Sequence, residues 1–347
     1  MGDPPRHVQG DLVNSTWGDE TRYFFALTPD KVLECMERLG FETTGLCVAH
    51  NSFENRVYEI EIEAERRYRQ VVKFYRPGRW SKDQILDEHR FLLDLQEHEI
   101  PVVAPLVDAQ GQTLHLDPQT QLWYTIFPKS RGRAPQELAL DDFSQLGRLL
   151  GRIHQVGKSR PAPHRLALSV DTYGRSNLDY LTEHAWIPSR VRENYVAVAR
   201  AIFERIEPGL TKAAGHRIHG DCHLGNLLVD PPKFFFLDFD DMLNGPAVQD
   251  FWLLLPSPDE VRSPELDALL DGYETMTAFD YATLRLIPGL RALRMIHFSG
   301  WIARRFEDPA FSRTFSFVKD EKYWEDQFQE LRGIEATLAA RENPMGY

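Results

Sequence analysis

The segment His219-Gly220-Asp221-Cys222-His223-Leu224-Gly225-Asn226 is the densest set of chemically capable groups in the chain, and the apolar run Lys233–Leu237 leads from it to Asp238-Phe239-Asp240. Phosphoryl transfer needs a carboxylate to orient the accepting hydroxyl and hard oxygen ligands to hold Mg²⁺ against the phosphates. Asp-x4-Asn followed by an aspartate at a strand end supplies these groups: the loop returns Asn226 toward Asp221, and the strand end delivers Asp238. The competing reading is a turn rich in Asp, Asn and Gly; the strand-borne Asp238 favours chemistry. His219, Cys222 and His223 lack the paired spacing of a zinc site, so His219 is expected to pack and hydrogen-bond within the loop.

Two further groups point the same way. Lys73 lies in the strand-like run Val71-Val72-Lys73-Phe74-Tyr75. On a helix opening at Ser81, Glu88 shares a stripe with Ile85, Leu92 and Leu95, while Asp83, Asp87 and Asp94 form a second stripe assigned to solvent. A carboxylate on an apolar face requires a cation, and Lys73 is the natural partner. In a nucleotide site such a lysine reaches the α- and β-phosphates. The turn Asn51-Ser52-Phe53-Glu54-Asn55-Arg56 occupies the place of a phosphate cover but has no glycine, so Ser52 and backbone N–H groups are the candidate contacts. Gly151-x5-Gly157-Lys158-Ser159 is one residue too long for a phosphate loop and follows a helical pattern; its glycines suit close helix packing. Asp250 heads an apolar helix, where it either complements the helix dipole or supports the catalytic loop. The segment Arg291–Arg305 reads as a basic, aromatic-laced helix, either structural or a contact for substrate or phosphate.

These groups need a scaffold. Thr28-Pro29 starts a helix that ends at Gly40; Val57–Ile62 and Val71–Tyr75 alternate as strands; Ser81 and Gln84 form a capping box opening a helix to about Glu97; and strand-like pieces recur near Val102–Val107 and Leu122–Phe127. Beyond Pro128 the pattern is helical, apart from Lys233–Leu237. The expectation is a flexible extension over residues 1–27, a β-rich nucleotide-binding lobe over 28–128 and a helical lobe over 129–347 carrying the catalytic loop and metal site. The 347 residues are 42% apolar, enough for two packed lobes, with Gly and Pro in no period, which excludes collagen-like and wholly disordered classes. No apolar run reaches membrane-spanning length. The three cysteines fit reduced thiols, and a net charge of −12 speaks against a general polyanion binder, so neither membrane nor nucleic acid is an expected partner.

The loop His219-Gly220-Asp221-x-His223-x-x-Asn226 resembles that of the aminoglycoside phosphotransferase and choline kinase branch of the protein-kinase-like fold. Within that branch, Asn51–Tyr58, Val72–Pro77, Gln84–His89 and Gly245–Asp250 resemble the bacterial stress-response Ser/Thr kinases, a likeness running from about Thr28 to Ala310. The resemblance implies a two-lobed α+β fold and an ATP- and Mg²⁺-dependent kinase acting on Ser/Thr hydroxyls of proteins, itself included, as a cytoplasmic monomer. The alternative is a kinase of small molecules such as an aminoglycoside, choline or homoserine. Carried over, Asp221 is the catalytic base, Asn226 and Asp238 are magnesium ligands, and Lys73, Glu88 and Ser52 serve ATP. The Asp-Phe-Asp at 238–240, in place of Asp-Phe-Gly, implies no flipping glycine hinge.

Overall fold

The computed structural model describes residues 24, 26–231, 233–256 and 263–342; apart from residues 24, 26 and 27, the extension expected over 1–27 lies outside them. Helix α1 (Pro29–Arg38) begins where Thr28 Oγ1 accepts from Lys31 N, with Pro29 in its first turn. It ends at Gly40, whose φ of 87° suits glycine. Three strands follow, β1 (Thr43–His50), β2 (Arg56–Ile62) and β3 (Tyr68–Phe74), then α2 (Lys82–Glu97), the short β4 (His115–Leu116) and β5 (Trp123–Pro128). The strands form one antiparallel sheet in the order β1-β2-β3-β5-β4. Alternation sends Ile60, Ile62, Val72, Phe74, Tyr124 and Ile126 to a core closed by Val32, Cys35 and Met36 of α1. The capping box is present: Gln84 N donates to Ser81 Oγ at 3.2 Å and Ser81 N to Gln84 Oε1 at 2.8 Å.

Two expectations need correction. Val102–Val107 is not a strand; it makes one bridge, Val102 to Phe236, and Leu106 N donates to Ile126 O. Pro101 and Pro105 remove the donors a ladder needs. Of the supposed solvent stripe of α2 only Asp83 is exposed. Asp87 is buried and accepts from His164 N at 2.9 Å, and Asp94 is buried against Arg217 at 2.7 Å. Both acids meet chain returning from the helical part, which local periodicity does not register.

The remainder is mostly helical: α3 (Leu140–Ser159), a π-helical turn (Val170–Arg175), α4 (Ser176–Glu183), α5 (Ser189–Lys212), then β6 (His216–Ile218), β7 (Leu227–Asp230), β8 (Lys233–Phe236) and β9 (Leu243–Gly245), followed by α6 (Val248–Trp252), α7 (Pro264–Glu274), α8 (Ile287–Arg305), α9 (Pro309–Thr314) and α10 (Glu321–Glu342). Helices α3 and α7 cross so closely that a Cβ on Gly147 or Gly272 would overlap backbone of the other helix. Gly151 and Gly157 belong to the same packed helix, as their spacing suggests: their added Cβ atoms would meet Met276 and the Arg217 carbonyl. Two small antiparallel pairs, β6/β9 and β7/β8, frame the loops that carry Asp221, Asn226 and Asp238. The molecule is thus a two-lobed α+β fold, a β-sheet lobe beside a helical lobe. Among the described residues no helix is long and apolar enough to cross a membrane.

Candidate active site

A cavity of about 450 Å³ lies between the sheet and the β7–β8 hairpin. Val57 and Val71 line it from the sheet, Leu228 and Leu237 from the hairpin side, giving an apolar slot. Its polar end gathers Ser52, Lys73, Glu88, Asn226 and Asp238, residues that the sequence places up to 186 positions apart (238 − 52).

Lys73 sits mid-strand, opposite Val57 on β2 and Thr125 on β5. Its ammonium lies 3.6 Å from Glu88 Oε1, 3.3 Å from Asp238 Oδ1 and 2.9 Å from Asp240 Oδ1. Burial opposes its charge, but Asp240, Glu88 and Asp238 outweigh burial and hold the pKa well above the lysine range. Burial pushes the Glu88 carboxyl up to about 7, with Asp240 and Asp238 adding to the rise against the pull of Lys73 and Arg165. Arg165 is a partner the sequence did not disclose: it donates to Glu88 Oε2 at 3.0 Å and to Asp240 O at 2.8 Å, beneath the Trp80 ring.

Asp240 contributes differently from Asp238. It is buried, bound to Arg79 and Lys73, and accepts from Asn55 Nδ2 at 3.2 Å. Arg79, Lys73 and Arg165 overcome burial and keep its carboxyl below the usual range. Asp238, with φ 56° and ψ 67°, turns a 57% exposed side chain toward the cleft. Asp238 and Asn226 form a donor set of hard oxygens: Asn226 Nδ2 donates to the Asp221 backbone O at 3.0 Å, leaving Oδ1 as the atom able to face a cation. Such a set fits Mg²⁺, which takes few protein ligands and keeps water and phosphate oxygens. Among the described residues no group of three or more His, Cys, Asp or Glu could hold a metal ion unaided.

Asp221 follows Gly220, whose φ of 85° and closeness to Asp241 O, 2.5 Å from an added Cβ, leave room only for glycine. The loop is fastened from behind. Buried Asp250 accepts from His219 N at 2.8 Å, Gly220 N at 2.7 Å and His154 Nε2 at 3.1 Å. Loop support is thus shown, and Asp250 also lies in the first turn of α6. His219 donates from Nε2 to Leu237 O at 2.8 Å, as expected of a packing histidine, and accepts from Asp221 N at Nδ1. The Asp221 carboxylate meets Arg294 of α8 at 2.6 Å and His223 Nε2 at 3.3 Å. Burial is outweighed by the His223 hydrogen bond and Arg294, so its pKa falls below the carboxylate range. The basic helix serves structure at both points: Arg294 pairs with Asp221, and Arg305 is buried against Glu54 at 3.0 Å.

A profile of the phosphotransferase enzyme family matches residues 46–287. Stress response kinase A of Salmonella choleraesuis is 37% identical over 329 residues, spanning 94% of this chain and 98% of its own. The serine/threonine protein kinase RdoA of Salmonella typhimurium matches at the same identity and coverage. Among solved structures, amicoumacin kinase hAmiN in complex with AMP-PNP and Ca²⁺ superposes with a TM-score of 0.70 at 20% identity, covering 91% of this chain and 96% of that one. Family profile, full-length relatives and fold agree with the geometry of the cleft: the chain belongs to the phosphotransferase enzyme family, as a kinase.

Proposed function

We propose that this chain transfers the γ-phosphoryl group of ATP to Ser or Thr hydroxyls of proteins, with Mg²⁺ at Asn226 and Asp238. The observation that carries the reading is the convergence of Lys73, Glu88 and Asp238 at the polar end of an apolar slot, with Asp221 one hydrogen bond from Asn226. Adenine suits the slot between Val57, Val71, Leu228 and Leu237; the lobe junction at 128/129 passes beside it, where Pro128 and Lys129 line the cavity. Lys73, held by Glu88, binds phosphate oxygens. When bound, Mg²⁺ supplies neutralisation of phosphate charge. Asp221 orients the acceptor: the hydroxyl oxygen forms a bond to the γ-phosphorus, the bond to the β–γ bridging oxygen breaks, ADP leaves, and the hydroxyl proton passes to Asp221. With its pKa held low, Asp221 is ionised at neutral pH and ready to accept that hydrogen bond.

Protein acceptors are favoured by the likeness to the serine/threonine protein kinase of Salmonella typhimurium and by Arg294 beside Asp221, which disfavours a cationic small molecule at that spot. Cytoplasmic location, a monomeric state and autophosphorylation belong to the same proposal. The test is labelled ATP with Mg²⁺, offered in parallel to proteins and to choline and aminoglycosides. Label on serine or threonine is the expected result, together with its loss in Asp221→Asn while ATP affinity stays within a few fold. Efficient labelling of a small alcohol with protein at background would overturn it.

A further inference from the structure

The turn over the cleft has no glycine, and buried charge holds its shape. Glu54, at its centre, is buried beneath three arginines and a tryptophan. Arg305 donates to Oε1 at 3.0 and 2.9 Å, Trp301 Nε1 to Oε2 at 2.6 Å, Arg76 lies 3.1 Å from Oε1 and Arg79 3.7 Å from Oε2. Arg76 also donates to the carbonyls of Glu54 at 2.9 Å and Phe53 at 3.0 Å, and pairs with Asp308 at 2.9 Å. Two carbonyl oxygens of the turn are thereby taken up. On the cleft side of the same turn, Asn51, Ser52 and Asn55 line the cavity, and Asn55 reaches Asp240, which contacts Lys73.

Trp301 and Arg305 belong to α8, and so does Arg294 on Asp221. Eleven residues of helix separate Arg294 from Arg305, roughly 16 Å at 1.5 Å per residue. One rigid helix thus holds the hydroxyl-orienting carboxylate at one point and the turn over the phosphates at another. We infer that Glu54 is a positioning residue for the nucleotide: joined to Arg305 and Trp301, it fixes the 51–55 turn at the height the phosphates require, a task that a glycine-rich loop performs by backbone adaptability. This deepens the reading of the cleft as an ATP site and rests on it.

The experiment measures binding of a non-hydrolysable ATP analogue with Mg²⁺ by calorimetry, alongside thermal melting and steady-state kinetics, in the unmodified protein, Glu54→Gln, Trp301→Phe and Arg305→Lys. If the unmodified protein does not bind the analogue, the ATP reading fails. If it binds, Glu54→Gln is expected to weaken the analogue at least tenfold and to raise KM for ATP far more than KM for the acceptor. Trp301→Phe, which keeps an aromatic ring and removes one N–H, is expected to weaken it about threefold, and Arg305→Lys to fall between. A folded Glu54→Gln with affinity within twofold of the parent overturns the inference, as does a lower kcat with both KM values unchanged. Should Glu54→Gln fail to fold, Trp301→Phe decides: unchanged analogue affinity overturns the inference, a threefold loss upholds it.

Discussion

Glu88 stands between two cations, Lys73 at 3.6 Å and Arg165 at 3.0 Å, and its neutral isostere would leave both of them underpaired in a buried site. Glu88→Gln is therefore expected to let Lys73 drift toward Asp238 and Asp240 and to lower kcat/KM by roughly 10²-fold, the usual cost of a misplaced phosphate ligand. Asp83→Asn, exposed on the same helix, should leave the rate unchanged; equal losses in the two variants would remove the pair from the mechanism. Asp87 cannot serve as that silent control, because it is buried against His164. A second test concerns Asp221. Arg294 helps hold its carboxyl below the usual range, so Arg294→Ala raises that pKa, and the acidic limb of the kcat/KM profile moves to higher pH. An unmoved limb would mean that Asp221 is not the group reporting there. The lysine–glutamate pair was legible because a carboxylate on an apolar stripe demands a cation. Arg165 and Arg79 were not: they sit in non-periodic segments, Pro161-Ala162-Pro163-His164-Arg165 and Arg76-Pro77-Gly78-Arg79, and meet their partners only through tertiary structure.

Helices α3 and α7 touch at backbone distance, and the end of α3 packs on β6, where an added Cβ on Gly157 would overlap the Arg217 carbonyl. A Cβ on Gly147 would overlap Leu269 O and come within 2.8 Å of Tyr273 N, and one on Gly272 would overlap Ser144 O. Gly147→Ala and Gly272→Ala are each expected to lower unfolding free energy by about 1–3 kcal/mol, since the helices must part to admit a methyl group. Gly333 of α10, with nothing within 4 Å of an added Cβ, provides the opposite case: Gly333→Ala should stabilise by about 0.5–1 kcal/mol through helix propensity alone. Chemical denaturation of the three variants checks the signs, and a stabilised Gly272→Ala would refute the close crossing. Element starts were readable where a local device fixes them, as with Ser81 and Gln84 or Thr28 and Pro29. The run at 102–107 reads as a strand from its β-branched residues, but Pro101 and Pro105 deny it a ladder. Its place beside β5 comes from Leu106 N bonding to Ile126 O, a contact that composition does not encode.

Across the whole molecule, three histidines, buried His89 and half-buried His216 and His297, set how stability responds to acid. His89 lies between Tyr75 and Thr113, His216 faces His154, and His297 stacks on Tyr173 at 4.3 Å. In each case burial is the main cause, neighbouring cations or a second histidine add to it, and the pKa is pushed from 6.5 down to about 3. The folded state keeps these rings neutral, whereas the unfolded chain protonates them as pH drops through 6.5. Their contribution is therefore complete above pH 6.5 and declines as pH falls toward 3. Glu88 acts in the opposite sense, because its folded carboxyl takes up a proton near 7 and its unfolded one only near 4.5. His115, lowered by burial, sides with the three histidines, and Asp241, raised by burial, with Glu88; the histidines outnumber the acids, so the unfolded state binds more protons between pH 6.5 and 5 and stability falls with acidification. Asp240 and Asp221, ionised below the usual range in the fold, extend the loss below pH 4. The expected slope is about 1–3 kcal/mol per pH unit near pH 6. It should be measured by thermal melting at about 0.15 M salt, where the Debye length of roughly 8 Å screens repulsion among distant surface charges. A melting temperature that stays level or rises from pH 7 to pH 5 would show that the histidines reach water in the folded protein and that the packing around α2, β6 and α8 is looser than these contacts describe.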